Sequence, residues 1–306
     1  MIKYFFIAIL YKFFSISSLT KKIYRYLGNI IGARRRAEKG LTQAYLERAS
    51  RFLNICRKYD VFRPGSRAFE IGTGWVHWES IFVRLFYDVE IALFDVWDGR
   101  QFKALKRYFG DLAEIIDEEI HFIDLKQHVR VHNLLKSIAS VSSFHELYDL
   151  LSFRYIVDSR GFFYSFKDVL FDCIFSANVL QHVKKDVLPE YISEFYHILK
   201  PGGYSIHLID IGDMLSYHVK GVSFKKYLSY SDVIWKRCFD NDIEHINRVQ
   251  RSEYLAIFQK AGFELVEEEF TVTDLGSLVI DKMYEKLSRQ DLECRNLWLV
   301  HRKRPQ

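Results

Sequence analysis

Arg67-Ala-Phe-Glu-Ile-Gly-Thr-Gly-Trp75 is the stretch on which the fold turns. Pro64 and Gly65 punctuate its start, a short apolar strand follows, and the strand runs into a glycine turn. Beyond it, Val76 to Tyr87 has helical spacing, with Ile81, Phe82, Leu85 and Phe86 on one stripe. Strand, glycine turn and helix together offer free backbone N–H groups at the positive end of a helix. Glycine is needed there because a Cβ would block the approach of a ligand to the backbone. A G-x-G turn alone is shared by several cofactor classes. Its surroundings discriminate here. Glu70 stands two residues before Gly72, where nicotinamide-binding turns carry an apolar residue. Trp75 and Val76 follow where a dinucleotide site places its third glycine. The next predicted strand, Ile91-Ala-Leu-Phe-Asp95, ends in an acid 21 residues after Gly74. A carboxylate at that strand end accepts hydrogen bonds from both hydroxyls of a ribose, with Val96 and Trp97 flanking the base. The competing reading of Asp95 is a solvated turn residue.

Downstream, Leu170-Phe-Asp-Cys-Ile-Phe-Ser176 reads as a buried strand leading into Ala177-Asn-Val-Leu-Gln-His-Val183. Leu188 to Leu199 is helical in spacing and stops at Lys200-Pro-Gly-Gly203, which turns the chain into the strand Tyr204–Asp210. This order of elements resembles the class I methyltransferases, in which E-x-G-x-G, F-D-x-I-x-S-x-x-V-L-x-H-V and L-K-P-G-G recur. With Trp75, His207-Leu-Ile-Asp210, Tyr227-Leu-Ser-Tyr230, Asn247-Arg248 and Ser252-Glu-Tyr254, the chain is also similar to a bacterial subgroup associated with methylation of surface polysaccharides and other small molecules. The resemblance implies an α/β, Rossmann-like fold: a seven-stranded, mostly parallel sheet flanked by helices, with its last strands near Phe263–Thr271 and Leu297–Arg302. It implies S-adenosyl-L-methionine as cofactor, held by Glu70, Gly72, Thr73, Gly74, Asp95, Val96 and Trp97, with Ser176 and Asn178 after the fourth strand.

The chain also departs from a minimal member of that family. No third strand is expected until Arg154-Tyr-Ile-Val157, a gap too long for an ordinary connection. Leu134, Leu135, Ile138, Leu147, Leu150 and Leu151 give it a helical pattern. It is read as a helical insertion over about residues 100–150 that covers the cofactor or mediates a homodimer. Asp158, at the end of the third strand, is placed to receive the adenine amino group, or is a surface turn acid. A second enlargement, residues 211–251, holds Tyr217, His218, Phe224, Tyr227, Tyr230 and Trp235. At the C-terminal edge of a doubly wound sheet such a segment lies over the ligand crevice, and it is read as an acceptor lid. The domain plan is a basic amphipathic, helical N-terminal extension over residues 1–40 and a methyltransferase domain over residues 41–306.

Methyl transfer from a sulfonium is an in-line displacement in which the protein mainly aligns the nucleophile and excludes water. A hydroxyl acceptor also needs a base. His207, Asp210 and His182 are the catalytic candidates, with His218 nearby. In an extended strand His207 and Asp210 face opposite sides, and a bend after Ile209 brings them together. The competing reading of His182 is structural. A metal site built from His207, Asp210 and Asp213 is a minor alternative, and the leading reading has no metal. Ser176-Ala-Asn-Val stands where nucleobase amino-methylating enzymes carry Asn-Pro-Pro-Tyr, which argues against that acceptor. Trp75, Trp78 and Trp97 are candidates to stack on adenine or face the sulfonium, Trp97 foremost, or are core aromatics. The reading is O-methylation of a small or glycan-like hydroxylated acceptor. The alternatives are N- or C-methylation of a small metabolite and a non-catalytic methyltransferase-like binding module.

Composition agrees with a folded chain: 306 residues, 49% hydrophobic, with 26 Phe, 19 Tyr and only four Pro. The net charge of +5 is uneven. Residues 1–36 carry eight Lys and Arg and no acid, leaving −3 on the rest, so the body is not a nucleic-acid-binding one. Four scattered cysteines without a C-x-x-C pair read as reduced thiols. The apolar run Tyr4–Tyr11 is too short to span a bilayer. Two readings of residues 1–36 stand: peripheral contact with the inner face of a membrane, or a helix packed on the domain with a solvated basic face. The expected location is the cytoplasm.

Overall fold

The computed structural model describes residues 2–163, 166 and 168–305. Three helices lead the chain, α1 (Ile2–Ser15), α2 (Ser18–Lys39) and α3 (Gln43–Lys58). Then come β1 (Arg67–Ile71), α4 (Trp78–Phe86) and β2 (Glu90–Asp95), followed by α5 (Phe102–Glu119), α6 (Leu125–Ser140) and α7 (Phe144–Leu151). The chain continues through β3 (Phe153–Val157), β4 (Phe171–Ala177), α8 (Leu188–Ile198), β5 (Leu199–Asp210) and α9 (Asp232–Cys238). It ends with α10 (Arg251–Lys260), β6 (Glu264–Val272), α11 (Arg289–Glu293) and β7 (Cys294–Arg302).

The seven strands form one sheet in the order β3-β2-β1-β4-β5-β7-β6. β1 pairs in parallel with β2 and β4, and β2 with β3, while β6 and β7 are antiparallel. This is the Rossmann-like α/β sheet that the resemblance implied. Ala68–Ile71 and Ile91–Phe94 are buried throughout, the signature of parallel strands covered on both faces. Two element starts differ from the sequence reading. β5 begins at Leu199, so the Lys-Pro-Gly-Gly run belongs to the strand. Lys200 Nζ clasps the Asp172 carboxylate at 2.8 and 2.9 Å, and a Cβ on Gly203 would stand 2.9 Å from the Asp172 carbonyl oxygen. Glycine is therefore required there by close approach of backbones. β7 begins at Cys294, because α11 feeds directly into it behind a capping box of Ser288 and Asp291.

The chain divides into two compact units. The β1 unit comprises Leu27–Ser176 and Ile198–Tyr204; the β7 unit comprises Met1–Tyr26, Ala177–His197 and Ser205–Gln306. In the β1 unit Phe69 stacks on Phe171 with ring centres 5.1 Å apart. Helices occupy the expected insertion. α5 buries Leu105, Phe109, Leu112 and Ile116, and α6 buries Val131, Leu135 and Ile138. Asp124 and Ser143 cap α6 and α7 by accepting from the Gln127 and Glu146 amides. In the β7 unit the aromatics of residues 211–251 form a core of their own. Tyr227, Leu228, Trp235 and Phe239 pack with Tyr4, Ala8 and Tyr11 of α1.

Candidate active site

In the β1 unit, β1 ends in Gly72 (φ 68°) and Gly74 (φ 63°), both in the left-handed region. Gly72 N donates to Phe94 O at 2.8 Å, anchoring the turn to β2. A Cβ at Gly74 would meet no atom within 4 Å, so this glycine borders open space and not another part of the protein. Asp95 lies beside it: Oδ2 accepts from Gly74 N at 3.3 Å and Oδ1 from Val96 N at 2.8 Å. Burial pushes its carboxyl up to about 6 despite those amide bonds. The Thr73 hydroxyl oxygen is buried with no hydrogen-bond partner. Glu70 faces inward. Its Oε2 accepts from the Ser80 hydroxyl of α4, and burial together with neighbouring Glu79, which is paired with Arg48, pushes its carboxyl well up. It thereby ties β1 to α4 and sets the angle of the turn between them.

His77, at the start of α4, was not singled out in the sequence. It is fully buried with φ 47°, and its Nε2 lies 2.8 Å from the Tyr148 hydroxyl of α7. Arg100 donates to the same hydroxyl at 3.1 Å. Burial drives the imidazole down to about 3, so it stays neutral. The helical insertion thus reaches back to the glycine turn through Tyr148. Its only sequence signal was a histidine three residues after Gly74.

In the β7 unit, Asp210 ends β5. Its Oδ1 accepts from Gly212 N at 2.8 Å and its Oδ2 from the Tyr217 hydroxyl. Arg295 donates to that hydroxyl at 3.3 Å, and burial beside Asp210 pushes the Tyr217 phenol up to about 12. A cavity of about 10 Å³, room for one water, is lined by Asp210, Gly212, Gln181, Tyr227, Asn247 and Arg248. Ile246, Asn247 and Arg248 separate it from a cavity of about 600 Å³ bounded also by Lys184, Trp235 and Tyr284. Asn178 (φ 58°) donates its amide to Leu208 O at 2.8 Å, while its side-chain Oδ1, like Gln181 Oε1, is buried without a partner. Lys225 is fully buried and donates to Ile211 O, the Tyr227 hydroxyl and Gln250 Oε1 at 3.1, 3.1 and 3.2 Å. It holds the segment after β5 onto the strand end.

Residues 39–268 match a family model described as a methyltransferase domain. The chain belongs to the methyltransferase-domain family. A search of curated protein sequences found no match. Among solved structures, phosphoethanolamine N-methyltransferase 2 of Haemonchus contortus, in complex with S-adenosyl-L-methionine, is 15% identical with a TM-score of 0.43. The match covers 83% of this chain and 52% of that one, so the chain spans about half the length of that relative. A putative sarcosine dimethylglycine methyltransferase from Galdieria sulphuraria is 12% identical, with coverages of 85% and 86% and a TM-score of 0.46. A putative O-methyltransferase from Nostoc punctiforme is 12% identical, with coverages of 84% and 56% and a TM-score of 0.42.

The geometry of the β1 unit fits S-adenosylmethionine, the cofactor that the resemblance implied. The space beside Gly74, the unpartnered Thr73 hydroxyl and the strand-end carboxylate of Asp95 are what a nucleoside with a polar tail requires. Val96 is exposed and Trp97 half-buried beside Asp95, while Ser176 is buried at the end of β4. Asp158 agrees with the surface-turn alternative of its sequence reading. Both its oxygens are held by Arg160 at 3.0 and 2.8 Å, which keeps its carboxyl down at about 2. Trp78 is a core residue, its indole N–H donating to Tyr45 O. Trp75 lies under the Arg36 guanidinium, 3.2 Å from the ring centre.

Among the catalytic candidates, His207 requires correction. It is fully buried, stacked on Phe195 at 5.4 Å and set against Phe258, with Nε2 2.7 Å from the Ser205 hydroxyl. Burial drives it down to about 3, and it presents no atom to an acceptor. The expected bend after Ile209 does not interrupt the strand, which continues to Asp210, so the two residues alternate across it. His182 is exposed, and its Nδ1–H donates to His245 O at 2.6 Å, which gives it a structural task. The metal constellation does not assemble: Asp213 accepts from the Tyr4 hydroxyl and the Leu215 amide, and His207 lies in the core. Among the described residues one group has metal-ligand spacing, Asp117, His128 and His132 on the insertion.

Proposed function

We propose that the protein is an O-methyltransferase acting on a small, hydroxylated, glycan-like acceptor, with Asp210 as the general base. The observation that carries this reading is the Asp210 carboxylate at the end of β5, beside a water-sized cavity and hydrogen-bonded to a half-exposed tyrosine. Bound S-adenosylmethionine supplies an electrophilic methyl carbon on a sulfonium. Asp210 accepts the proton that the acceptor hydroxyl gives up. Tyr217 stays protonated at neutral pH and donates to the same carboxylate, so it holds the acceptor oxygens of Asp210 in place. Arg295 fixes the tyrosine in turn. The cavity beside Asp210 has room for a hydroxyl, and Asn247, Arg248 and Gln181 on its wall suit a polar acceptor over an apolar one.

The test is radiolabelled methyl transfer from S-adenosylmethionine to panels of glycosides, small alcohols and amines. The expected product is a methyl ether. Asp210→Asn is expected to lower kcat by roughly 10²- to 10⁴-fold, the usual contribution of a general base, with S-adenosylhomocysteine affinity unchanged. Label confined to amines, or a kcat that survives Asp210→Asn, would reject the reading.

A further inference from the structure

α1 is apolar on every side, yet only one side is covered. Tyr4, Ala8 and Tyr11 form its inner face. The Tyr4 hydroxyl donates to Asp213 Oδ2 at 2.6 Å, the Tyr11 hydroxyl lies 3.1 Å from His218 Nε2, and Lys12 Nζ donates to the Lys236 and Asp240 carbonyls at the end of α9. The helix is thus docked on the segment that follows β5. On the opposite side Ile2, Phe5, Phe6, Ile9, Leu10 and Phe13 are between 39% and 89% exposed. Ile16 and Leu19 continue the apolar surface into α2, none of whose residues is buried. There Leu19, Ile23, Tyr26 and Ile30 recur at helical spacing on one side and Lys22 and Arg35 lie off it, all of them exposed. Of the twenty-nine large apolar side chains exposed among the described residues, thirteen fall within residues 2–31. That concentration exceeds the scatter ordinary for a monomer surface.

We infer that α1 and the apolar stripe of α2 lie in the interface of an anionic lipid membrane, inserting Phe and Ile side chains while the flanking lysines and arginines meet acidic headgroups. Charge selects this occupant. Residues 1–36 hold eight cations and no acid. A symmetric pairing of two copies through the same face would set those cations against each other, whereas an acidic bilayer complements them. Lys12, Lys21, Arg34 and Arg36 already have protein partners, Lys22 is exposed beside the stripe, and Lys3 and Arg35 are exposed elsewhere on the two helices. No helix among the described residues is long and apolar enough to cross a membrane, so the contact is interfacial. The inference does not rest on the acceptor reading, since it concerns the outer face of α1 alone.

The test is sedimentation of the full chain with vesicles of phosphatidylcholine and of phosphatidylcholine mixed with phosphatidylglycerol, at low and high salt. Partition onto the acidic vesicles, reversed by salt, is expected. Phe6→Ser with Phe13→Ser is expected to lower it by at least about tenfold, and Lys22→Gln or Arg35→Gln by roughly fivefold each. Circular dichroism and S-adenosylhomocysteine titration report that each variant is folded; both substituted faces are exposed, so folding is expected to survive. Failure of the wild-type chain to bind acidic vesicles overturns the inference. So does binding to neutral vesicles that the Lys22 and Arg35 variants do not weaken, or a vesicle-free dimer that the phenylalanine variant splits.

Discussion

The glycine turn of the β1 unit and the segment after β5 in the β7 unit are built by opposite means. The turn is made from backbone: two left-handed glycines, a strand-end carboxylate and a helix start, all within thirty residues of chain. The segment after β5 works through side chains whose supports come from far away. Asp210 depends on Tyr217 and Arg295, Asp213 on Tyr4, and the shape of the whole segment on α1. A site made of local backbone leaves a motif. A site made of distant side chains leaves only a composition, here a surplus of aromatics.

The largest expected effect is at the turn. Gly72→Val forces a β-branched residue to φ 68° and is expected to weaken S-adenosylhomocysteine binding by more than about 100-fold in calorimetric titration, while the β7 unit keeps its hydrogen-exchange protection. Loss of protection throughout would mean that the turn is not the local device described. Asp95→Ala is expected to cost about 1.5–3 kcal/mol of affinity, the scale of charged hydrogen bonds. Its pH dependence has a definite sign. Because burial holds the Asp95 carboxyl at about 6, the ionised form that accepts from ribose hydroxyls is depleted as pH falls through that value. Affinity is expected to drop by up to roughly tenfold per pH unit below 6, and a flat profile in Asp95→Asn would confirm the source. The smallest effect belongs to the other side of the comparison. Tyr4→Phe removes the bond to buried Asp213 and is expected to cost about 1 kcal/mol in denaturant unfolding. Its exchange protection should fall over residues 213–228 and not over β1 to β4; an even loss would remove the distinction.

The His207 outcome shows why half of the site resisted reading. A histidine three residues before an acid at a strand end has the residue types of a catalytic pair. Alternation across the strand puts the two on opposite faces, and Phe195 and Phe258, from α8 and α10, close over the histidine. At Asp158 the nearer partner wins, since a guanidinium two residues on claims both oxygens, as the surface-turn alternative had it. Residues 211–251 read as a lid from their aromatic content. Their aromatics, however, pack with one another and with α1 more than they face outward.

By itself the sequence determined the glycine turn, the strand-end acid and the order of elements, because φ preference, hydrophobic period and helix stops are set by neighbours a few residues apart. Only the tertiary structure decided that His207 is sealed among aromatics while Asp210 takes the Tyr217 hydroxyl, and which face of α1 is covered. Those depend on contacts with residues up to more than two hundred positions away, and no local pattern records them.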